Sequence, residues 1–273
     1  MAEHTFTSLE REGWSRNAAD YDGIILDWTS QAYGPILETF EDLNGKRLLD
    51  VASGTGHLVR AAVERGAAAE GLDISAKMVA LAGRSFPGLT FRVGSADALP
   101  YADGAFDAVT CCFGLLHLER PEAAVAEVYR VLRPGGRFSY TTWHGPTSGG
   151  ILLGLMLKTF QRLANMDVGL PPAPPIFQFA EAETRDRVLG GVGFVAISPR
   201  DIDIRWRAAR PEEIGRLLRE GMVRMRLVFE RQTASVQRDI TEALIDEARA
   251  FVTTDGVEIP NAAHLATALK PSS

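Results

Sequence analysis

Three acidic side chains and a glycine-rich turn have the types and spacing that a nucleotide-like ligand requires. Asp50 ends an apolar segment and leads into a turn that contains Gly54 and Gly56. Glycines let the backbone approach a ligand closely, because no Cβ stands in the way. Asp73 ends the next apolar segment about 20 residues beyond the turn, where nucleotide-binding units place a carboxylate on ribose hydroxyls. Asp97 follows in a third such position, so the pattern indicates a nucleotide-binding site.

Each of these acids also has a plainer interpretation. Aspartate caps helices and stabilises turns, so Asp73 could begin a helix and Asp97 could belong to a loop. Two glycines also occur in many unrelated turns. The spacing between the turn and Asp73 favours the ribose interpretation, and the order of the later segments adds to it.

The elements around these residues alternate between apolar strands and helices. Strands are predicted at 47–51, 68–72, 89–93, 106–112 and 137–142, with a helix at 121–132 that begins at a proline. The segment 132–138, which contains Pro-Gly-Gly, is predicted as a turn into the fifth strand. Such alternation predicts a parallel sheet with right-handed crossovers. Ligands of these sheets bind beyond the carboxyl ends of the strands.

The regions outside this alternation are less regular. Helices are predicted within 8–45, at 151–166 and at 181–189. A strand is predicted within 194–207, a long helical region at 211–249 and a short strand at 263–269.

Composition narrows the class of protein. The chain has 273 residues, 46% of them hydrophobic, which suits one large domain or a domain with a lid. A net charge of −6 argues against a nucleic-acid partner. The only two cysteines, Cys111 and Cys112, are neighbours on a predicted buried strand and fit small core residues better than a disulfide. Residues 1–5 lack the pattern of a signal peptide, and no uncharged apolar run approaches about 20 residues. We therefore expect a cytoplasmic protein.

In combination and in this order, the motifs resemble the class I S-adenosylmethionine (SAM)-dependent methyltransferases. The resemblance points to the small-molecule branch that includes the ubiquinone- and menaquinone-biosynthesis enzymes. It is close from Leu48 to about Trp143 and looser beyond. Ala52 departs from the family, which often has glycine there.

The resemblance implies an architecture. We expect a Rossmann-like α/β fold with a seven-stranded, mostly parallel sheet, its last strand antiparallel, and helices on both faces. We also expect a single methyltransferase domain over 1–273. Within it the resemblance implies an N-terminal helical lid, a SAM-binding core and two cap insertions over the site, at 1–45, 46–142, 143–178 and 208–256.

The resemblance also implies roles for individual residues. Asp73 would bind the ribose of SAM, Asp97 and Ala98 the adenine, and Asp50 would order the glycine-rich loop near the methionine end. The full set implied to bind SAM, and its product S-adenosylhomocysteine, is Asp50, Ala52, Ser53, Gly54, Gly56, Asp73, Ile74, Met78, Ser95, Ala96, Asp97, Ala98, Cys112 and Phe113.

Two residues are candidates for catalysis. His117 follows the fourth strand and could act as a general base, because imidazole titrates near neutral pH. The alternative is a histidine bonded into its loop. Tyr21 comes from the N-terminal helices, and its ring could face the sulfonium cation. Trp14, from the same helices, is a weaker candidate for this contact, and the alternative for both is ordinary helix packing. No cysteine or histidine pair has the spacing of zinc ligands, so no metal is expected.

These observations predict methyl transfer to a small, apolar molecule, with O- or C-methylation favoured over N-methylation. Three alternatives stay open. One is a SAM-binding enzyme with non-methyl chemistry such as cyclisation, and another is a non-catalytic SAM-binding subunit. The third, an NAD(P)-dependent oxidoreductase, is weaker, because Val59 stands where the dinucleotide pattern has a third glycine. A monomer or homodimer is expected.

Overall fold

The computed structural model describes residues 5–272 and divides them into two compact units. The first, here the sheet unit, comprises 29–143, 174–202 and 263–272. The second, here the helical unit, comprises 5–28, 144–173 and 203–262. Residues 1–4, on which most of the signal-peptide prediction falls, lie outside the described residues.

In the described part of the chain, four α-helices precede the first strand, and strands and helices then alternate as far as the fifth strand, except that no helix lies between the third and fourth strands. The α-helices are α1 (Phe6–Asn17), α2 (Tyr21–Ile24), α3 (Leu26–Thr29), α4 (Tyr33–Leu37), α5 (His57–Glu64), α6 (Ala76–Ser85), α7 (Pro121–Val131), α8 (Ile151–Leu163), α9 (Ala182–Gly191), α10 (Glu213–Arg216), α11 (Arg224–Glu230) and α12 (Ala234–Arg249). The strands are β1 (Arg47–Val51), β2 (Ala68–Asp73), β3 (Thr90–Val93), β4 (Phe106–Cys112), β5 (Leu132–Trp143), β6 (Val195–Ile202), β7 (Arg205–Ala208), β8 (Val252–Thr253), β9 (Gly256–Pro260) and β10 (Ala263–Leu269).

The sheet unit contains a seven-stranded sheet in the order β3-β2-β1-β4-β5-β10-β6. The pairs among β1 to β5 are parallel, whereas β10 is antiparallel to both β5 and β6. The predicted fold class is therefore confirmed. The predicted bounds of β1, β4 and β10 agree with the structure, and those of β2 and β3 differ by one residue.

Alternation along the central strands places apolar side chains on both faces of the sheet. Leu49 packs into a cluster with Val125 of α7 and Leu189 of α9, whereas its neighbour Leu48 packs into a second cluster with Leu58 of α5. Successive side chains of a strand point to opposite faces, so β1 must be apolar on both sides. Burial on both faces explains why the central strands read as continuous apolar runs.

One prediction about the sheet's surroundings was wrong, and a second was incomplete. The segment predicted as a turn at 132–138 is part of β5, which begins at Leu132. Leu132 pairs with Phe106 and Arg137 with Ala108, so the extra residues form a bulge with Gly135 at φ 75°. The single strand predicted within 194–207 is two strands, because β6 joins the seven-stranded sheet and β7 pairs with β9.

The helical unit combines helices with a small antiparallel sheet in the order β7-β9-β8. The long helical region predicted at 211–249 is interrupted: α10 runs into a π-helical turn (Leu217–Gly221), and α11 and α12 follow as separate helices. Thr233 is the N-cap of α12, and its hydroxyl accepts a hydrogen bond from the Val236 N–H. Within residues 5–272, no helix has both the length and the apolar composition that a membrane crossing requires.

Candidate functional site

The glycine-rich turn links the end of β1 to the start of α5 through left-handed backbone. Ala52, Gly54 and Gly56 have φ values of 60°, 52° and 87°. The Ser53 N–H donates to the Leu72 carbonyl at 3.0 Å, which ties the turn to β2. A Cβ at Gly56 would lie 2.6 Å from the Phe91 ring, whereas one at Gly54 would meet nothing within 4 Å. Gly56 is therefore required by packing, and Gly54 leaves open space beside the loop.

Asp73, at the end of β2, binds this turn directly. Its Oδ2 accepts the Gly54 N–H at 2.9 Å, and its Oδ1 accepts the Ser75 N–H at 2.8 Å. Burial raises the pKa of this carboxyl, and the two N–H donors oppose that effect. The Ser75 hydroxyl in turn accepts a hydrogen bond from the Met78 N–H and so caps the N-terminus of α6. The carboxylate thus holds the turn and the helix start together, and each oxygen has a further lone pair.

Asp50 lies on β1 and is almost fully buried. Its Oδ1 accepts a hydrogen bond of 2.7 Å from the Thr110 hydroxyl on β4. Burial raises the pKa of the Asp50 carboxyl to about 7, the Thr110 hydrogen bond lowers it, and the nearby charge of Asp73 raises it further. Two carboxyl groups thus lie close to each other on neighbouring strands.

The segment after β3 presents Asp97 between two donors. The Ser95 hydroxyl donates to its Oδ1, and Arg120 donates to its Oδ2 and forms an ion pair with it. These contacts lower the pKa of Asp97, with the Ser95 hydrogen bond as the largest cause. The Ala98 N–H donates to the Ser95 carbonyl at 3.2 Å, and Ala96 is buried between them.

The end of β4 carries an unusual backbone conformation. Phe113 has φ 55°, which bulky residues rarely adopt. Its N–H donates to both the carbonyl and the hydroxyl of Thr141, each at 3.1 Å, and its ring stacks on Trp143 at 3.8 Å. Cys112 receives a hydrogen bond from Thr141, and both Cys112 and Cys111 are free thiols whose pKa is raised by burial. Strain of this kind is typical of functional sites.

The two candidate catalytic residues lie in different units. His117 ends a 3₁₀ turn of the sheet unit, and its N–H donates to the Gly114 carbonyl at 2.9 Å. Its positive charge, when protonated, lowers the pKa of Asp73. Tyr21 belongs to the helical unit, where its ring meets the ring of Trp14 edge-on at 6.1 Å.

The sheet unit brings together all fourteen residues predicted to bind the cofactor. They lie at or just beyond the carboxyl ends of β1, β2 and β4, and in the segment after β3. The Ser53 hydroxyl oxygen is buried and has no hydrogen-bond partner in the structure; it lies against Gly71 of β2, where a Cβ would be 2.6 Å away, so it packs the turn onto the sheet. The open space at Gly54 and the Asp73 carboxylate fit the polar groups of an adenosyl cofactor.

Sequence reasoning missed several residues that support these positions. Thr110, Arg120 and Thr141 act through side chains whose partners are distant in sequence, so no local pattern marks them. Ser75 could have been found, because serine is a preferred N-cap residue and Ser75 directly precedes α6.

The parallel sheet, its antiparallel strand and the glycine-rich turn beside an acid define a Rossmann-like methyltransferase fold. Comparison with known proteins agrees. Residues 49–140 match the family described as "Methyltransferase domain". The resemblance to class I SAM-dependent methyltransferases is thereby confirmed, and the match supports SAM as the cofactor.

Among similar proteins is a demethylmenaquinone methyltransferase of Renibacterium salmoninarum. It is 36% identical over 132 residues, which are 47% of this chain and 56% of that protein. A demethylmenaquinone methyltransferase of Thermus thermophilus is 41% identical over 148 residues, 52% of this chain and 64% of that protein. The chain thus spans less than two thirds of the length of these relatives. The YcgJ protein of Bacillus subtilis has a similar fold, with a TM-score of 0.60 and 22% identity over 89% of this chain and 100% of that one.

Proposed function

We propose that this protein transfers the methyl group of SAM to a small, apolar acceptor, by O- or C-methylation. One observation carries the proposal: the stretch that matches the methyltransferase family folds into strand, turn and helix, with Asp73 bonded to the Gly54 N–H. The relatives that carry the name demethylmenaquinone methyltransferase make a reduced quinone the first acceptor to test.

The residues of the sheet unit would hold SAM in a fixed orientation. The free lone pairs of Asp73 suit ribose hydroxyls, and Asp97 lies where an adenine amino group could donate. Phe113 and the backbone at Cys112 would line the methionyl side. When bound, SAM supplies an electrophilic methyl group. Holding donor and acceptor in line could supply about 7–11 kcal/mol of the barrier, so positioning is the main contribution of the protein.

A phenol, enol or alcohol must lose a proton when it is methylated. We assign the removal of this proton to His117, whose imidazole takes it as the bond between the methyl group and the substrate forms. Tyr21 would place a phenol ring and oxygen toward the sulfonium. The predicted lid at 1–45 and caps at 143–178 and 208–256 would exclude water and select the acceptor. Most of these segments belong to the helical unit, although 29–45 and 174–178 belong to the sheet unit.

The family match favours methyl transfer over the alternatives of cyclisation and NAD(P)-dependent redox chemistry. A non-catalytic SAM-binding subunit would share the same cofactor residues, and only turnover separates it from an enzyme. Cytoplasmic location, a monomeric or homodimeric state and the lack of a nucleic-acid partner stay predictions.

Calorimetric titration with SAM, S-adenosylhomocysteine and NADH tests the cofactor. We expect both adenosyl ligands to bind and NADH not to bind, and binding of NADH alone would overturn the proposal. Transfer of a labelled methyl group from SAM to a reduced naphthoquinone, a simple phenol and a primary amine then tests the reaction. Uptake by the first two, with none by the amine, supports O- or C-methylation. SAM binding without any methyl uptake would favour the non-catalytic subunit.

A further inference from the structure

Two carboxyl groups are buried at neighbouring strands of the sheet unit, and they have different partners. Asp50 on β1 and Asp73 on β2 are only 2% and 7% exposed. Asp73 accepts two backbone N–H groups. Asp50 accepts one hydroxyl, that of Thr110, and within residues 5–272 it has no N–H donor and no cationic partner. A buried carboxylate with so little compensation is costly to ionise.

The titratable groups that face Asp50 add no positive charge to it. They are Asp73 from β2 and the thiols of Cys111 and Cys112 from β4, and His117 acts on Asp73. Burial and the charge of Asp73 raise the pKa of Asp50 to about 7. Near neutral pH the carboxyl group is therefore only partly ionised, and an additional positive charge nearby would ionise it.

The cofactor and its product differ in charge at one atom. SAM carries a sulfonium cation, and S-adenosylhomocysteine carries a neutral thioether, while the remaining groups are the same. We infer that Asp50 distinguishes SAM from S-adenosylhomocysteine by charge: it loses its proton to solvent when the sulfonium binds and regains one after the methyl group has left. This inference rests on the proposed function. Direct contact is not needed, because charges interact over several ångströms in a low-dielectric interior.

The consequence is a cofactor site whose preference for SAM depends on pH. Below the pKa of Asp50, each SAM that binds should release up to one proton. Its dissociation constant should then fall as the pH rises toward about 7, by up to about tenfold per pH unit. S-adenosylhomocysteine should release fewer protons and show a flatter profile. The affinity for SAM relative to that for S-adenosylhomocysteine should therefore rise as the pH rises through this range.

Calorimetry in two buffers with different ionisation enthalpies measures the protons released. At about pH 6, we expect release with SAM that exceeds release with S-adenosylhomocysteine. Asp50→Asn, which keeps an acceptor for the Thr110 hydroxyl, should abolish this difference and flatten the pH profile of SAM affinity. Thr110→Val removes the hydrogen bond that lowers the pKa of Asp50, so it should move the midpoint of the profile to higher pH.

Asp107→Asn is the matched control. Asp107 lies near the opposite end of β4, where it accepts the Arg47 N–H and pairs with Arg133, and it should leave proton release unchanged. Equal release with the two ligands, or undiminished release in Asp50→Asn, would overturn the inference while leaving the proposed function intact. An unshifted midpoint in Thr110→Val would overturn it as well, even if Asp50→Asn does not fold. Failure of SAM to bind at all would overturn both.

Discussion

The sheet unit and the helical unit fix their polar groups in different ways. In the sheet unit, apolar strands end in acids whose partners are mostly neighbouring backbone N–H groups and hydroxyls, such as Gly54 with Asp73. In the helical unit, polar side chains bond across distant segments, to backbone carbonyls as Arg224 does to Pro171, or to other side chains as Arg226 does to Asn17. Partners at one edge of the sheet follow from the order of its strands, whereas partners in distant segments depend on packing. The cofactor site is thus built from the more regular of the two units.

Arg226 illustrates the second case. It is 2% exposed, its Nη1 donates to the Asn17 oxygen, and its Nε and the Asn17 Nδ2 have no hydrogen-bond partner. Burial lowers the pKa of Arg226. No periodic pattern in the sequence marks this pair, because Asn17 and Arg226 are 209 positions apart.

Replacing His117 should give the largest effect and separates chemistry from cofactor binding. His117→Ala should lower kcat for a hydroxyl-bearing acceptor by about a hundredfold, because a general base contributes at least that much. SAM affinity by calorimetry should be unchanged, since the sheet unit still holds the cofactor residues. A fully active variant would show that this histidine only stabilises its loop.

Asp73→Ala tests whether one carboxylate both shapes the loop and binds the cofactor. Loss of hydrogen bonds to a charged group costs about 1.5–3 kcal/mol, so SAM should bind about tenfold to a hundredfold more weakly. Titration calorimetry measures this change. A circular dichroism spectrum like that of the wild type would establish that the variant still folds. Unchanged affinity would reject the ribose role.

Gly56→Ala tests how tightly the sheet unit is packed around the turn. Gly88 is the matched control, because its φ of 92° is similar to the 87° of Gly56 but nothing lies within 4 Å of its missing Cβ. Gly88→Ala should cost about 1 kcal/mol from the left-handed backbone alone. Gly56→Ala should cost about 1–3 kcal/mol more, because its methyl group meets Phe91. Denaturant unfolding measures both, and equal losses would argue against the collision.

Glu258→Gln should give the smallest change and probes the helical unit. Glu258 pairs with Arg205 and Arg207 across β9 and β7, and these ion pairs, that with Arg207 first, lower its pKa. Their stabilisation is therefore present above the ordinary glutamate range and is lost as the pH falls through the lowered pKa. We expect a small decrease in Tm that disappears in high salt. Glu64→Gln, which breaks an exposed pair in the sheet unit, is the control; a Glu258→Gln decrease that persists in high salt would contradict this account.

The sequence predicted the sheet well because burial on both faces imposes a strong pattern. β4 and β10 were predicted to the residue, and every residue implied for the cofactor lies in the sheet unit. The bulge in β5 was missed, because Pro134-Gly135-Gly136 reads as a turn whether or not strand pairing continues on both sides.

The helical unit was predicted less well for a physical reason. The helical region predicted at 211–249 is interrupted by the π-helical turn at Leu217–Gly221, and β7 pairs with β9 from a distant part of the chain, so local periodicity shows neither feature. The β8–β9 hairpin was missed: Thr253 pairs with Gly256, so its two loop residues are Thr254 and Asp255, which are not a typical hairpin signal. The left-handed Phe113 could not be predicted, because its conformation depends on Thr141 and Trp143.

The adjacent thiols of β4 and the tryptophans allow the unfolding of the two units to be measured separately. Cys111 and Cys112 are the only cysteines, both lie on the middle strand of the sheet, and burial suppresses their thiolate forms. Three of the four tryptophans, Trp14, Trp28 and Trp206, belong instead to the helical unit. Alkylation of the thiols therefore follows the opening of one unit, and tryptophan fluorescence mainly follows the other. Recorded together on the wild-type chain, thiol alkylation and tryptophan fluorescence measure how cooperatively the sheet unit and the helical unit unfold.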